Sequence, residues 1–428
     1  MLVISQGRVI DPARNLDEQA DVVVDGSRIT KIGPRAGADL RGEQIITIDA
    51  KGRWVVPGLI DLHVHFREPG QEYKETIETG LRAAAAGGFT AVCTMPNTRP
   101  VNDTRAVTEM ILARARQCGG PRLYPIAAIT VGQKGDQLTE MADLCDAGAV
   151  GVSDDGQCVM DTAVMRRAME YARTFDILVT QHCEDKNLSH GTQMHEGVIS
   201  TRLGLEGCPR EAEDVIVARD LLLAEMTGAR YHIAHISSIN AVRLLREAKS
   251  RGAKVTAEVT PHHLMLTDEA LLEYDSVYKV NPPLREKKDR DALREALRDG
   301  TVDCIATDHA PHTELEKECE FAQAACGMVG LEQAVPVLLE LVRDQILTPM
   351  RFIEALSTTP ARIARLPGGS LREGQPADLT IIDPEHHWTM DAKWLHSRSK
   401  NTPFLGKKVQ GAIMLTIVDG QIAYQRNT

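Results

Sequence analysis

The first residues of the chain that could do chemistry together are His63 and His65, in the stretch DLHVHFREPG at residues 61–70. An apolar run precedes them, which is typical of a buried strand, and successive strand side chains point to opposite faces. We therefore expect both imidazoles on one face, about 6–7 Å apart, where they can bind one metal ion. The alternative is a strand end whose histidines only make hydrogen bonds.

Further side chains that bind metals follow other apolar stretches. They are Asp154, Asp155, His182, His235 and Asp308. Apolar strands have little reason to end repeatedly in histidine and aspartate unless something binds them, so the set predicts a metal site. Imidazole and carboxylate ligands without cysteine suit Zn²⁺, with Mn²⁺, Co²⁺ or Fe²⁺ as alternatives. One or two ions fit this set, and such ions lower the pKa of water and polarise a carbonyl, which predicts hydrolysis.

The elements that must position these residues alternate between apolar strands and helical segments. Eight strand candidates run from WVVPGLIDLHVH to VDCIATDHA, between about residues 54 and 310. Eight such units indicate an α/β fold, a (β/α)₈ TIM-type barrel, whose strands end at one mouth. An open doubly wound sheet is the alternative, but the chain has no GxGxxG turn to support it.

Both ends of the chain carry a different pattern. VVVDGSRITKI near the start and LTIVDGQIAYQ near the end each place a DG turn between alternating apolar runs, which predicts hairpins. We expect one small β domain from residues 1–54 and 367–428, beside a metal-dependent barrel at residues 55–366. Two unrelated hairpins are the alternative.

The composition argues against several classes of protein. A net charge of −11 disfavours binding to nucleic acid or an anionic membrane, which requires a basic face. No apolar run is long enough to span a membrane, and the N-terminus lacks the pattern of a signal peptide. Nine scattered cysteines without a CxxC pair favour free thiols in a reducing cytoplasm.

Motifs along nearly the whole chain resemble those of a known enzyme family. HVH after an apolar strand is typical of the amidohydrolase superfamily, and HFREPG, TMPNT, NPPLR, ATDHAPH and SKNTPF resemble dihydroorotases of the bacterial class I type. The resemblance implies a zinc-dependent cyclic amide hydrolase with one or two ions per subunit. Its reaction is the reversible hydrolysis of L-dihydroorotate to N-carbamoyl-L-aspartate, the third step of pyrimidine biosynthesis, by metal-bound hydroxide with an aspartate as general acid and base.

The resemblance also implies a role for each metal-binding side chain. His63 and His65 would bind the first ion, His182 and His235 the second, and Asp308 would touch the first and move the proton. Many relatives bridge the ions with a carboxylated lysine, but this chain has SDDG at that place. Strand alternation leaves both aspartates of SDDG open, and the spacing of the family favours Asp155, with Asp154 turned away.

The substrate carries a carboxylate, so its pocket needs a cation and hydrogen-bond donors. Arg67 shares the face of His65 if the extended pattern continues, and Asn97 at the end of the second strand would complete the grip. The resemblance adds Asn281 and His312 as substrate-binding residues, and Gly327 is a further candidate. Residues 313–327 are either a solvated loop or a mobile lid that ends at Gly327. His262 and His263 are expected to pack around the site.

Two other functions compete with this interpretation. One is another cyclic amidase, similar to hydantoinases or allantoinases, whose uncharged substrates would not need Arg67. The other is a non-catalytic homologue that scaffolds aspartate transcarbamoylase, which should have lost ligands that this chain retains. The resemblance further implies a homodimer, and association with the transcarbamoylase is compatible with catalysis.

Overall fold

The structure of the protein is a computed structural model that describes residues 1–38, 40 and 45–427. Its strands are β1 Leu2–Asp11, β2 Leu16–Asp25, β3 Arg28–Gly33, β4 Ile46–Asp49, β5 Trp54–Pro57, β6 Leu59–Val64, β7 Phe89–Thr94, β8 Arg122–Ala127, β9 Gly151–Val152, β10 Leu178–Gln181, β11 Met194–His195, β12 Gly207–Cys208, β13 Arg230–Ile233, β14 Val255–Val259, β15 Cys304–Ile305, β16 Leu379–Thr389, β17 Lys408–Val418 and β18 Gln421–Gln425.

The α-helices follow the strands in alternation through the middle of the chain. They are α1 Ile77–Ala86, α2 Arg105–Cys118, α3 Met141–Asp146, α4 Thr162–Phe175, α5 Val198–Leu203, α6 Glu211–Thr227, α7 Ile239–Ser250, α8 Pro261–Met265, α9 Lys287–Asp299, α10 Glu314–Lys317, α11 Ala334–Arg343, α12 Pro349–Ile353 and α13 Thr359–Ala364. None of the helices in the described part of the chain is long and apolar enough to cross a membrane.

The barrel predicted from the sequence is confirmed. Eight parallel strands are hydrogen-bonded in the order β6, β7, β8, β9, β10, β13, β14 and β15. The ring nearly closes between its first and last strands, where Val64 bridges to His309 and the amide of His65 donates to the carbonyl of His309 at 2.9 Å. Each of the eight predicted strand segments overlaps one of these strands, although β9 and β15 are only two residues long.

The first predicted strand differs from the observed structure, because WVVPGLIDLHVH forms two strands instead of one. β5 belongs to the small sheet and β6 to the barrel, with Gly58 between them. The Gly58 amide donates to the carbonyl of Asp378, and a β-carbon at Gly58 would lie 2.1 Å from Thr90 Oγ1. The backbone therefore passes from one sheet to the other at a point too close for any side chain.

The small sheet is built from both ends of the chain, as the two DG patterns predict. Its strands run in the order β18, β17, β16, β5, β1, β2 and β3, and β4 pairs with β1. The predicted turns Asp25–Gly26 and Asp419–Gly420 connect β2 to β3 and β17 to β18. The predicted boundaries of the two domains stay a prediction, and β5 shows that the small sheet includes residues up to Pro57.

Candidate active site

The predicted metal-binding side chains lie together at the carboxyl ends of the barrel strands. His63 is the second-last residue of β6 and His65 directly follows this strand. The other four side chains follow β9, β10, β13 and β15. Each side chain is buried, with at most 6% of its residue surface exposed. The six residues are His63, His65, Asp155, His182, His235 and Asp308. The barrel thus brings residues up to 245 positions apart to one mouth, since its strands are parallel.

Two carboxylates lie between the imidazoles of the first strand. Asp308 Oδ1 is 3.1 Å from His65 Nε2 and 3.7 Å from His63 Nε2. Asp155 reaches the same two rings, with Oδ1 3.4 Å from His63 Nε2 and Oδ2 3.5 Å from His65 Nε2. The ligand atoms of His63, His65 and Asp308 all lie within 4.8 Å of one another, which suits one cation.

The second pair of histidines lies on the other side of Asp155. His235 Nε2 is 3.6 Å from Asp155 Oδ1, and His182 Nδ1 is 2.9 Å from His235 Nε2. His63, Asp155 and His235 form a second group whose ligand atoms lie within 4.8 Å of one another. Asp155 therefore lies between the rings of the first strand and His235, and its role as a ligand shared by two ions stays a prediction.

Hydrogen bonds behind the histidines fix which nitrogens face this cluster. His63 Nδ1 lies 2.7 Å from Glu258 Oε1, and His65 Nδ1 lies 2.9 Å from Asn97 Oδ1. With a proton on each Nδ1, the Nε2 lone pairs point at Asp155 and Asp308. His63 Nε2 and Asp155 Oδ1 are buried without a hydrogen-bond partner in the described part of the chain. Facing acceptors of this kind require positive charge between them, so the residues fit a divalent metal ion.

The carboxylates are ionised in spite of their burial. Burial raises the pKa of Asp155, but His63 and His235 outweigh it and hold the pKa well below its usual value. Burial likewise raises the pKa of Asp308, but its contacts with His65 and His63 outweigh burial and bring the pKa below its usual value. The pKa of Glu258 is lowered to about 2, because His63 and His232 outweigh its burial.

Asp154 points away from the cluster. Its Oδ1 accepts from the amides of Ile129 at 2.8 Å and Thr130 at 3.0 Å, and its Oδ2 accepts from the Thr130 hydroxyl. Burial raises the pKa of Asp154 to about 6 in spite of these hydrogen bonds. Asp154 therefore holds the loop after β8, and Asp155 faces the imidazoles.

Arg67 is buried beside the cluster with 8% of its surface exposed. Its Nε donates to the carbonyl of Pro311 at 3.2 Å, and its Nη2 lies 3.3 Å from His312 Nε2. Burial and the charge of Arg67 lower the pKa of His312 to about 3, so this imidazole is neutral and accepts from Arg67. Among residues 1–38, 40 and 45–427, no carboxylate lies within ion-pairing distance of Arg67.

Three of the site residues have a positive φ. Arg67 has φ 59°, Asp308 φ 47° and His235 φ 30°, a region that residues other than glycine rarely adopt. Such strain costs about 1–3 kcal/mol per residue and is concentrated at functional sites. The extended pattern that predicted a shared face for His65 and Arg67 does not continue, because β6 ends at Val64.

The remaining predicted substrate residues line two sides of the mouth. Asn97 contacts His65, while Asn281 Nδ2 lies 3.3 Å from His182 Nε2 and donates to Glu184 Oε2 at 3.0 Å. Gly327 has φ 133°, and a β-carbon there would lie 3.2 Å from His312 Cδ2. Asn281 is thus next to the second pair of histidines, and Gly327 is next to His312.

The loop at residues 313–327 is anchored from within. It begins with α10, and Lys317 Nζ donates to the carbonyls of Ala325 at 2.8 Å and Gly327 at 3.1 Å. Burial lowers the pKa of Lys317 to about 8. Leu315 in the same helix is 89% exposed. The loop is therefore ordered around a buried ammonium group, and its movement as a lid stays a prediction.

Two residues of the site were missed by the sequence analysis. Glu258 orients His63, and its other oxygen lies 3.1 Å from His232 Nε2. Glu184 Oε2 lies 2.7 Å from His182 Nε2 and 2.6 Å from Lys186 Nζ. Glu258 had a detectable signal, since it is a lone acid inside the apolar strand KVTAEV, whereas Glu184 follows its strand among other polar residues.

The adjacent histidines of TPHHL differ in their surroundings. His263 Nε2 lies 3.0 Å from the carbonyl of Pro282, which ties α8 to the loop after it. His262 Nε2 is buried without a hydrogen-bond partner among the described residues, and burial lowers its pKa to about 4. Both imidazoles are neutral and packed around the site.

Solved structures share this architecture. The L-hydantoinase (dihydropyrimidinase) from Arthrobacter aurescens aligns with 98% of this chain and 95% of its own, with a TM-score of 0.88 and 25% sequence identity. A D-hydantoinase (dihydropyrimidinase) from Thermus sp. aligns with 99% and 95%, with a TM-score of 0.85 and 25% identity.

Comparison with sequence relatives identifies the family more narrowly than the solved structures do. A family model described as Dihydro-orotase-like matches residues 52–241. A dihydroorotase of Anaeromyxobacter dehalogenans (strain 2CP-1 / ATCC BAA-258) is 52% identical over 429 residues, covering 100% of this chain and 98% of that protein. A dihydroorotase of Syntrophus aciditrophicus (strain SB) is 50% identical over 426 residues, covering 100% of both chains. With this identity over its whole length, the chain belongs to the dihydroorotase family.

Proposed function

We propose that the protein catalyses the reversible hydrolysis of L-dihydroorotate to N-carbamoyl-L-aspartate, the third step of pyrimidine biosynthesis. The observation that carries this proposal is Arg67, a buried guanidinium without an acidic partner in the described structure. A buried charge is costly unless it is paired, so the pocket is complete only when an anion binds. The carboxylate of dihydroorotate supplies that anion beside the metal-binding cluster.

The geometry and the family resemblance together support a set of residues that would hold the metal. We propose zinc, with His63, His65 and Asp308 around one ion, His182 and His235 around a second, and Asp155 between them. When bound, the zinc lowers the pKa of water and polarises the carbonyl of the ring. We propose that each subunit binds one or two zinc ions at rest.

We propose that Asp308 moves the proton. It is ionised, which is the state that accepts a proton, and its Oδ1 is held 3.1 Å from His65 Nε2. It takes a proton from the attacking water and returns it to the departing ring nitrogen. In the direction of ring closure, the same carboxylate takes the proton from the nitrogen of the carbamoyl group.

Two alternatives are less compatible with the site. A hydantoinase-like activity fits the shared fold, but a simple hydantoin has no carboxylate for Arg67. A non-catalytic scaffold for aspartate transcarbamoylase would have no need for six buried ligand side chains or for three strained residues among the site.

Replacing Arg67 tests the choice of substrate. We expect Arg67→Gln to lower kcat/KM for L-dihydroorotate by roughly 10- to 150-fold, because hydrogen bonds to a charged group contribute about 1.5–3 kcal/mol. Hydrolysis of dihydrouracil, which lacks the carboxylate, should not fall. The control is Arg99→Gln, an exposed arginine after the second barrel strand. Equal loss on both substrates would contradict the role of Arg67.

Replacing Asp308 tests the proton transfer. We expect Asp308→Asn to lower kcat by about 10²- to 10⁴-fold, since an amide cannot accept the proton. Metal content, measured by inductively coupled plasma mass spectrometry, should remain because the amide oxygen can still face the ion. Full turnover in a folded variant that retains metal would remove Asp308 from the mechanism.

The two neighbouring aspartates should respond differently to the same change. Asp155→Asn should lose bound metal, because it removes a charge between the two groups of ligands. Asp154→Asn should retain metal but lower the free energy of unfolding by about 1–3 kcal/mol, because it weakens buried hydrogen bonds to the loop after β8. Metal analysis and urea denaturation of both variants distinguish these effects, and loss of metal from Asp154→Asn alone would reverse the assignment.

We also propose that the protein is a homodimer, with α6 in the interface. Val215, Leu222 and Met226 lie on one face of α6 and are 43%, 63% and 56% exposed. A row of exposed apolar side chains on one helix is typical of a surface that binds another protein.

Sedimentation velocity tests this interface. We expect the wild-type protein to sediment as a dimer and Leu222→Glu as a monomer, because a charge in an apolar contact is not compensated. Val198→Glu is the control, since Val198 is 76% exposed on α5. A monomeric wild type, or a dimeric Leu222→Glu, would refute the interface.

The cellular location and a protein partner are also proposed. We propose a cytoplasmic location, which is supported by nine cysteines that are all free thiols. Association with aspartate transcarbamoylase is compatible with catalysis, and co-purification of the two proteins tests it.

A further inference from the structure

A second concave site lies at the opposite end of the barrel from the metal-binding cluster. We call it the basal pocket. It has a volume of about 730 Å³, within the range of about 300–1,000 Å³ that is usual for ligand pockets. Leu178, Arg230 and Val255, the first residues of β10, β13 and β14, line it. Since the active site is at the carboxyl ends of these strands, the basal pocket is a separate site.

The lining of the basal pocket is strongly basic in a protein of net charge −11. It contains one acidic side chain, Asp176, among five cations. The cations are Arg173, Arg230, Lys254, Arg362 and Arg365. Asp176 forms an ion pair with Arg365, so its negative charge is already compensated. The lining therefore has a large excess of positive charge.

Three of the five cations have no partner of their own. Within the part of the chain that the structure describes, the side chains of Arg173, Lys254 and Arg362 make no hydrogen bond or ion pair. All three are exposed to the pocket and to solvent. Arg230 is half-buried and donates only to backbone carbonyls, those of Asp176 and Ile363. Burial and the nearby charge of Arg365 lower the pKa of Arg230, as expected where positive charge is not compensated.

Helix ends explain only part of this arrangement. Arg173 and Arg362 are in the last turns of α4 and α13, where cations are favourable next to the helix carboxyl end. Arg230 begins a strand and Lys254 directly precedes one, so no helix dipole accounts for them. Four separate segments thus bring positive charge to one cavity, and an anion bound there would offset the repulsion between these charges.

We propose that the basal pocket binds a multiply charged anion that carries a diphosphate group. Arginine side chains bind phosphate oxygens in a bidentate manner, and several of them around one cavity match the charge of a diphosphate better than that of a single carboxylate. Leu178, Val255 and Ile363 add apolar surface to the same cavity, which can contact an organic part of the ligand. The proposal does not depend on the proposed function.

Isothermal titration calorimetry of the metal-loaded, full-length protein with inorganic pyrophosphate tests the site. We expect binding that weakens as salt is added, and an affinity lower by about tenfold or more in the double variant Arg173→Gln/Lys254→Gln, because two charged contacts are lost. ADP, titrated in parallel, distinguishes a nucleotide from free diphosphate, since only a nucleotide ligand would make ADP bind more tightly than pyrophosphate.

The control is the double variant Arg116→Gln/Lys51→Gln, which removes the same charges from exposed positions outside the pocket. Its affinity should equal that of the wild type, and the metal content after titration excludes extraction of metal by pyrophosphate as the source of heat. Thermal melting of both variants checks that they fold. Absence of binding at low ionic strength, or equal loss in both double variants, would overturn the proposal.

Discussion

The active site depends on one electrostatic constraint, which is that two ionised carboxylates and several imidazole lone pairs face one another out of contact with water. Asp155 and Asp308 are buried between His63 and His65, at distances of 3.1–3.7 Å. Unpaired charge of this kind is unfavourable in a protein interior, so the arrangement requires a cation or bound protons. Glu258 sets which nitrogen of His63 is available, and the parallel strands of the barrel hold the other members in place.

A second constraint separates this protein from others with the same barrel. The hydantoinase from Arthrobacter aurescens has the same overall architecture, so the fold alone does not choose the substrate. We propose that Arg67 makes that choice, because it is buried, has a strained backbone and faces a neutral His312 instead of an acid. A buried charge without a partner costs stability, and a bound carboxylate would compensate the charge of Arg67.

Much of this was predictable from the sequence, and the rest depends on contacts that a sequence does not contain. The alternation of strands and helices predicted the barrel, and histidines at the strand ends predicted the cluster. The division of the first predicted strand at Gly58 depends on Thr90, which belongs to another strand. Whether Asp154 or Asp155 faces inward depends on amides of the loop after β8. Local sequence patterns identify the candidate site residues, whereas the direction in which their side chains point depends on packing.

The two ends of the barrel show why the same strands can serve two purposes. β10, β13 and β14 begin at the basal pocket and end near His182, His235 and Glu258. A strand of four or five residues spans only about 13–17 Å, so the same short, rigid element connects the basal pocket to the active site. Hydrogen bonds join Thr256, which lines the basal pocket, to His232 at 2.7 Å, and His232 to Glu258 at 3.1 Å. Because Glu258 in turn orients His63, these side chains form a continuous polar connection between the two faces of the barrel.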